Sequence, residues 1–371
     1  MRGRGVPDQT PWQWDNGLPP VAFFLILPEQ GMTHSSPFHA DRPATARLEH
    51  PVCTVVIDAE EDFDWLTPIE GTSFTTECMR QIPDLHEILG AYGAVPAYLL
   101  TYPVLADEDT VRLIRRQLDR GQCVVGVQLH TWVTPPLGAA PSRHFSFSGN
   151  LDAGMEEQKL LRLKEKFTAC FGFPPTIHRA GRYGIGAQTA VLLEKHGFLI
   201  DTSLAPRTSF VREGGPDHSG YDFRPFWFGE HRDLLEVPLC RSVVGWGGEL
   251  GRWLYQALSG PLMTRLRVPS LLTRSRCAER ITLSPEGNDA SAMRRLVRHL
   301  RRRGEMIFPL SFHSSSLALG RNPYVQTRAD LHYFYDRLSA ELDHFAGALG
   351  GRFAALPEIP ALLAPPPERR A

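Results

Sequence analysis

Four carboxylates crowd into five positions at Asp58-Ala59-Glu60-Glu61-Asp62. Like charges this close raise one another's pKa unless a cation or an arginine neutralises them. They follow directly on Cys53-Thr54-Val55-Val56-Ile57, a short β-branched apolar run that suits a strand buried on both faces. Asp58 and Glu60 stand two apart, so an extended backbone points both to one side. One can bind a metal while the other acts as a base. A solvated capping loop is the competing reading.

Three further clusters carry the same potential. In Gly126-Val127-Gln128-Leu129-His130-Thr131-Trp132, Gln128, His130 and Trp132 share one face of an extended segment. A neutral imidazole there can ligate a metal, although His130 taken alone reads as a core histidine. Trp132 offers a flat apolar surface of the kind that stacks on a sugar ring. In His178-Arg179-Ala180-Gly181-Arg182-Tyr183-Gly184, two arginines and a tyrosine stand among glycines that let the backbone approach a ligand. Arg179 can hold a carboxylate base through a bidentate pair, or it can form a surface salt bridge. In Phe312-His313-Ser314-Ser315-Ser316, a strand-end histidine is a fitting general acid. A serine nucleophile ranks low there, because no Gly-x-Ser-x-Gly surrounds these serines.

The elements that must position these residues alternate. Strand-like runs are expected at 53–57, 95–100, 123–129, 176–178, 198–200, 234–238, 306–312 and 352–356. Helical patterns fall between them at 78–92, 109–120, 152–171, 185–196, 288–303 and 328–349, several of them closed by glycine. Strand–helix alternation implies a parallel sheet with helical crossovers. The fold class read from this is α/β, a distorted (β/α) barrel of about seven parallel strands, with its site on the face where the strands end. The outliers fit that face: Asp58 and Glu60, His130 and Trp132, Arg179 and Arg182, Asp201 and His313 each follow a strand. Residues 1–50 are expected to be a poorly ordered extension, 51–360 the barrel and 361–371 a frayed tail. An irregular insert at about 242–284 is expected to be a helical excursion covering one edge or a lid facing the substrate.

Composition limits the function classes. The 371 residues are 42% apolar and 22% charged, with a formal net charge of -1. That balance supports a core and gives neither disorder nor a nucleic-acid field. Six cysteines form no Cys-x-x-Cys pair, which points to buried thiols in a reducing compartment. No run reaches the length of a membrane span, and the run at 21–27 is too short, with the wrong flanks, for a secretory signal. The expected location is the cytoplasm. Nothing in the sequence specifies an oligomer.

Taken together, the motifs resemble those of the polysaccharide deacetylase family with the NodB-homology fold, a distorted (β/α) barrel, and most closely its WalW-type branch. The resemblance covers roughly residues 52–330. On that match Asp58 is the catalytic base and Glu60 the metal-binding acid. Arg179 orients the base and His313 is the general acid. Asp201-Thr202-Ser203 resembles the family's fourth motif. The family usually supplies two metal histidines four apart in the second motif, and here Gln128 and Trp132 stand at those positions. What remains is a three-donor site from Glu60, Gln128 and His130, for zinc or a similar divalent metal, for a different metal, or for none.

The resemblance implies hydrolysis of an N- or O-acetyl group on a sugar, with Gln128, Trp132, Arg182 and Tyr183 as substrate-binding residues. The expected substrate is a precursor or component of a bacterial surface polysaccharide. Two rivals stand beside it. One is a metal-free amidohydrolase acting on a small cyclic amide. The other is a catalytically degenerate barrel that only binds glycan.

Overall fold

The computed structural model describes residues 38, 44, 48–63, 65, 74–137, 142–258 and 268–364. Most of the expected extension, Asp64 and the tail from 365 lie outside the described residues. The core is a curled sheet of β1 (Val52–Ala59), β2 (Ala97–Leu100), β3 (Val124–Leu129), β4 (Ile177–Ala180), β5 (Ile200–Asp201), β6 (Phe226–Phe228), β7 (Leu234–Glu236) and β10 (Ile307–His313). The strand order is β10-β1-β2-β3-β4-β5-β7-β6. All neighbours are parallel except β6, which runs antiparallel to β7. The α/β barrel reading therefore holds.

The curl does not close by pairing β7 with β10. Single backbone bonds bridge the gap instead: Leu239 N–H to Leu204 O at 2.9 Å, Leu283 N–H to Cys240 O at 2.7 Å and Ser311 N–H to Leu283 O at 3.1 Å. The expected irregular insert contains an antiparallel pair, β8 (Arg241–Val244) with β9 (Glu279–Thr282), and helices at Gly248–Leu258 and Val268–Arg274. β8 and β9 were not expected, since neither run alternates cleanly. The expected last strand is reduced to β11 (Arg352–Phe353), paired with β1.

Strand alternation sorts the side chains. Cys53, Val55 and Ile57 of β1 and Phe308, Leu310 and Phe312 of β10 pack with Leu85, Leu89, Leu338 and Leu342 of the surrounding helices. The opposite parity lines the interior. There Val52, Val56, Ala97, Leu99, Ile177, Ile307 and Leu235 form a separate apolar cluster with Leu356 and Ile359. On four strands the interior parity turns polar toward the strand end, at Asp58, Gln128, Arg179 and His313. Register then makes neighbours of the chemical residues: Asp58 sits opposite His313, and Gln128 opposite Arg179.

Candidate active site

Asp58, Glu60, Glu61 and Asp62 are all at most 4% exposed, so the solvated-loop reading fails for the whole run. Burying four carboxylates is costly unless each meets a partner. Asp58 Oδ1 accepts from Arg179 Nη1, and its Oδ2 lies 3.4 Å from His313 Nε2. Arg179, itself 2% exposed, is held by Nε donation to Thr202 Oγ1 at 2.9 Å and to Thr202 O at 3.2 Å. Glu61 Oε1 accepts from His130 Nδ1 at 2.8 Å and from Trp132 Nε1 at 3.1 Å. Asp62 accepts from Thr75 Oγ1 at 2.8 Å and Cys78 N at 3.3 Å. It braces the loop rather than facing the site.

His313 is gripped twice by Glu286, through its backbone N–H and through Nδ1, each at 2.9 Å. Glu286 also accepts from Ser316 Oγ at 2.5 Å. Burial alone would lower the His313 pKa, but Glu286 and then Glu60 overcome it and raise it to about 10. The ring is an imidazolium at neutral pH, with Nε2–H aimed at Asp58. Trp65 packs edge-on against it, with centroids 4.7 Å apart. Sequence reasoning missed Glu286. It sits in Ser284-Pro285-Glu286-Gly287, directly after β9, and an acid between proline and glycine at a strand end was the signal available.

Glu60, Gln128 and His130 converge. Gln128 Nε2 lies 2.9 Å from His130 Nε2 and 3.4 Å from Glu60 Oε2, and the last two atoms are 3.5 Å apart. Glu60 Oε1 and Gln128 Oε1 are buried without a hydrogen-bond partner. Glu61 accepts from His130 Nδ1–H, and in the neutral ring Nε2 then accepts from the Gln128 amide N–H at 2.9 Å. A carboxylate behind a ring is the usual support of a metal-binding imidazole. Burial lowers the His130 pKa and Glu61 and Glu60 outweigh it, so it moves up. Burial lifts Glu60 to about 7, against the pull of His313 and His130. Among the described residues no three His, Cys, Asp or Glu side chains form a metal-ligand group. The third donor is an amide. With the Gln128 amide turned over, its oxygen would stand where the nitrogen now meets Glu60 and His130, and that donor set would suit one divalent cation. Glu60, Gln128 and His130 are the residues that would hold it.

Several expected residues turn out differently placed. The chain turns after His130, with Val133 N–H and Thr134 N–H on His130 O, so Trp132 leaves the extended register. It is 7% exposed and stacks on His130 at 4.1 Å. Its faces are spent inside the protein, which corrects the sugar-platform expectation. Lys159 pins this turn through bonds of 2.7–2.9 Å to the carbonyls of Thr131, Thr134 and Pro136. Arg182 is engaged by Glu213 and by Ser146 Oγ, with its guanidinium 4.3 Å over Phe147. It braces a loop instead of facing a ligand. Asp201 has the wrong parity: it bonds His178 Nδ1 at 2.7 Å on the outer side of β4. Thr202, its neighbour, is the residue that reaches Arg179.

Arg182 and Tyr183 both adopt positive φ, 54° and 59°, a conformation costing roughly 1–2 kcal/mol for each L-residue. Such strain concentrates where a loop must present something. Here it brings the Tyr183 ring within 5.7 Å of the Arg179 guanidinium carbon. Gly181 makes the approach possible. A Cβ there would stand 2.6 Å from His130 Cδ2 and 2.7 Å from Leu129 O. The glycine admits His130, not a ligand. Gly181→Ala is therefore expected to destabilise the fold by about 1–3 kcal/mol, read as a lower midpoint in urea unfolding.

No family model matches the chain, and no curated protein does. Solved structures similar to it include a protein assigned as a polysaccharide deacetylase from Mycobacterium smegmatis. That similarity has 15% identity, covers 89% of this chain and 99% of that one, and has a TM-score of 0.47. The chitin deacetylase of the fungal pathogen Colletotrichum lindemuthianum is similar at 13% identity, covering 88% and 93%, with a TM-score of 0.39. A PuuE allantoinase is similar at 11% identity, covering 83% and 88%, with a TM-score of 0.45. At these scores the fold assignment stands on the strand order and register of this chain. No helix among the described residues is long and apolar enough to cross a membrane.

Proposed function

We propose that this chain is a hydrolase of the polysaccharide deacetylase type, removing an acetyl group from an acetylated sugar. The observation that carries the reading is the buried Asp58 carboxylate held between the Arg179 guanidinium and the His313 imidazolium. Asp58, fixed by Arg179, takes the proton of the attacking water. The backbone N–H near Tyr183 supports the tetrahedral oxyanion. His313, kept protonated by Glu286, gives its proton to the leaving amine or alcohol. A divalent cation on Glu60, Gln128 and His130 would supply Lewis-acid polarisation and an acidified water at neutral pH. The WalW-type branch is proposed on Gln128-Leu129-His130-Thr131-Trp132.

The metal-free reading draws on one observation: the Gln128 amide already links His130 Nε2 and Glu60. Removing metal separates the two. Protein purified without chelator is expected to hold about one Zn, Co, Ni or Mn per chain by elemental analysis, and Glu60→Ala to lose most of it. Activity that survives dipicolinate, with no bound metal found, would instead favour an amidohydrolase on a cyclic amide. The deacetylase reading is tested by acetate release from a panel of N- and O-acetylated sugars. No release from any of them by the metal-loaded protein would sink it.

A further inference from the structure

Two arginines at the mouth of the barrel have carboxylate partners. Arg179 pairs with Asp58, and Arg182 with Glu213. Arg241, the first residue of β8, is half-buried, and its hydrogen bonds to the described residues go to hydroxyls. Its Nε donates to Thr282 Oγ1 at 2.8 Å and its Nη1 to Thr208 Oγ1 at 2.6 Å. A guanidinium carries five N–H donors, so three are left without an acceptor among the described residues. The groups that act most strongly on it are Arg280, Tyr183, Tyr324 and Tyr255, and His218 also feels its charge. Burial, reinforced by Arg280, lowers its pKa to about 10, so it remains a cation at neutral pH.

Its place ties it to the active site. Tyr183 lies within the field of Asp58, Arg179, Arg241 and Glu286. Tyr324 likewise feels both Glu286 and Arg241. Among the described residues no carboxylate bonds Arg241, and a cation held partly out of water without one is costly to keep. Two threonines fix its plane and leave the fork of donors open, the arrangement that suits a planar or tetrahedral oxyanion.

We propose that Arg241 is an anion-recognition residue, binding a carboxylate or phosphate carried by the substrate beside the reacting acetyl group. This rests on the hydrolytic reading above and makes the substrate an acidic or phosphorylated sugar rather than a neutral one. Tyr183 and Tyr324 flank that anion.

Calorimetric titration of the full chain with glucose 1-phosphate, glucuronate and glucose tests it. The wild type is expected to bind at least one of the two anions saturably, and at least tenfold more tightly than glucose. Which anion binds distinguishes a phosphate from a carboxylate. Arg241→Gln is expected to lose that binding at least tenfold, while Arg162→Gln, an equal loss of charge on an exposed helix, leaves it unchanged. If Arg241→Gln fails to fold by circular dichroism, Arg241→Lys decides, with a loss of at least threefold expected. Binding of neither anion more tightly than glucose overturns the assignment, as does undiminished binding by whichever Arg241 variant folds. The readout needs no turnover. A failure of acetate release therefore counts against the deacetylase reading alone.

Discussion

Replacing Asp58 with asparagine is expected to lower acetate release about a thousandfold, the middle of the range for loss of a positioned general base. The amide keeps the shape of the carboxylate but cannot accept the proton of water. The same change leaves the Arg179 guanidinium, 2% exposed, facing a neutral group. Removing one partner of a buried ion pair costs about 3–5 kcal/mol, because the other charge stays desolvated. Asp58→Asn should therefore also lower the thermal midpoint. The two effects can be parted. Asp58→Asn with Arg179→Met removes both charges and should regain much of the stability while staying inactive. Acetate release and thermal unfolding on the three proteins provide the check. Activity that recovers with stability would mean that Asp58 acts only through the fold. Activity unchanged in Asp58→Asn would remove it from the chemistry.

Asp58, Arg179 and His313 were legible from sequence because strand ends are nearly one-dimensional signals. A β-branched run followed by a charged residue names both the strand and the face, and parity carries the rest. Parity also explains the failures. Asp201 follows a strand, but β5 is two residues long, and only the register with His178 reveals that it faces outward. Trp132 was placed by alternation past the point where the backbone turns, which hydrogen bonds to His130 O decide and composition does not. Glu61 looked like one of several interchangeable acids. Its role depends on His130 and Trp132, 69 and 71 residues away. Glu286 and Arg241 belong to the β8–β9 excursion, whose pairing is antiparallel and lies outside the βα rhythm. Thr208 and Thr282, the partners of Arg241, are 74 positions apart in sequence, and no local pattern links them.

The second large effect concerns the proton on His313. Its pKa in the folded chain, about 10, lies above its usual 6.5. Two consequences follow from that sign. The interaction of the imidazolium with Glu286 and Asp58 stabilises the fold fully below pH 6.5. It fades as pH rises and is gone once pH passes 10. On the proposed hydrolysis, the proton given to the leaving group is likewise present across neutral pH and lost near pH 10, which should set the alkaline limb of kcat/KM. His313→Ala is expected to lower kcat by about 10²–10³ and to abolish that limb. Glu286→Gln is the sharper test. It keeps a hydrogen-bond acceptor at Nδ1 but removes the charge that most raises the pKa. The alkaline limb should move down by at least about one pH unit, equivalent to about 1.4 kcal/mol, with kcat at neutral pH affected far less than at pH 9. A purely structural Glu286 would lower kcat evenly at every pH and leave the limb in place. A pH–rate profile from 6 to 10.5 on the wild type and both variants separates the two, because only a proton donor ties the position of the limb to the charge behind the ring.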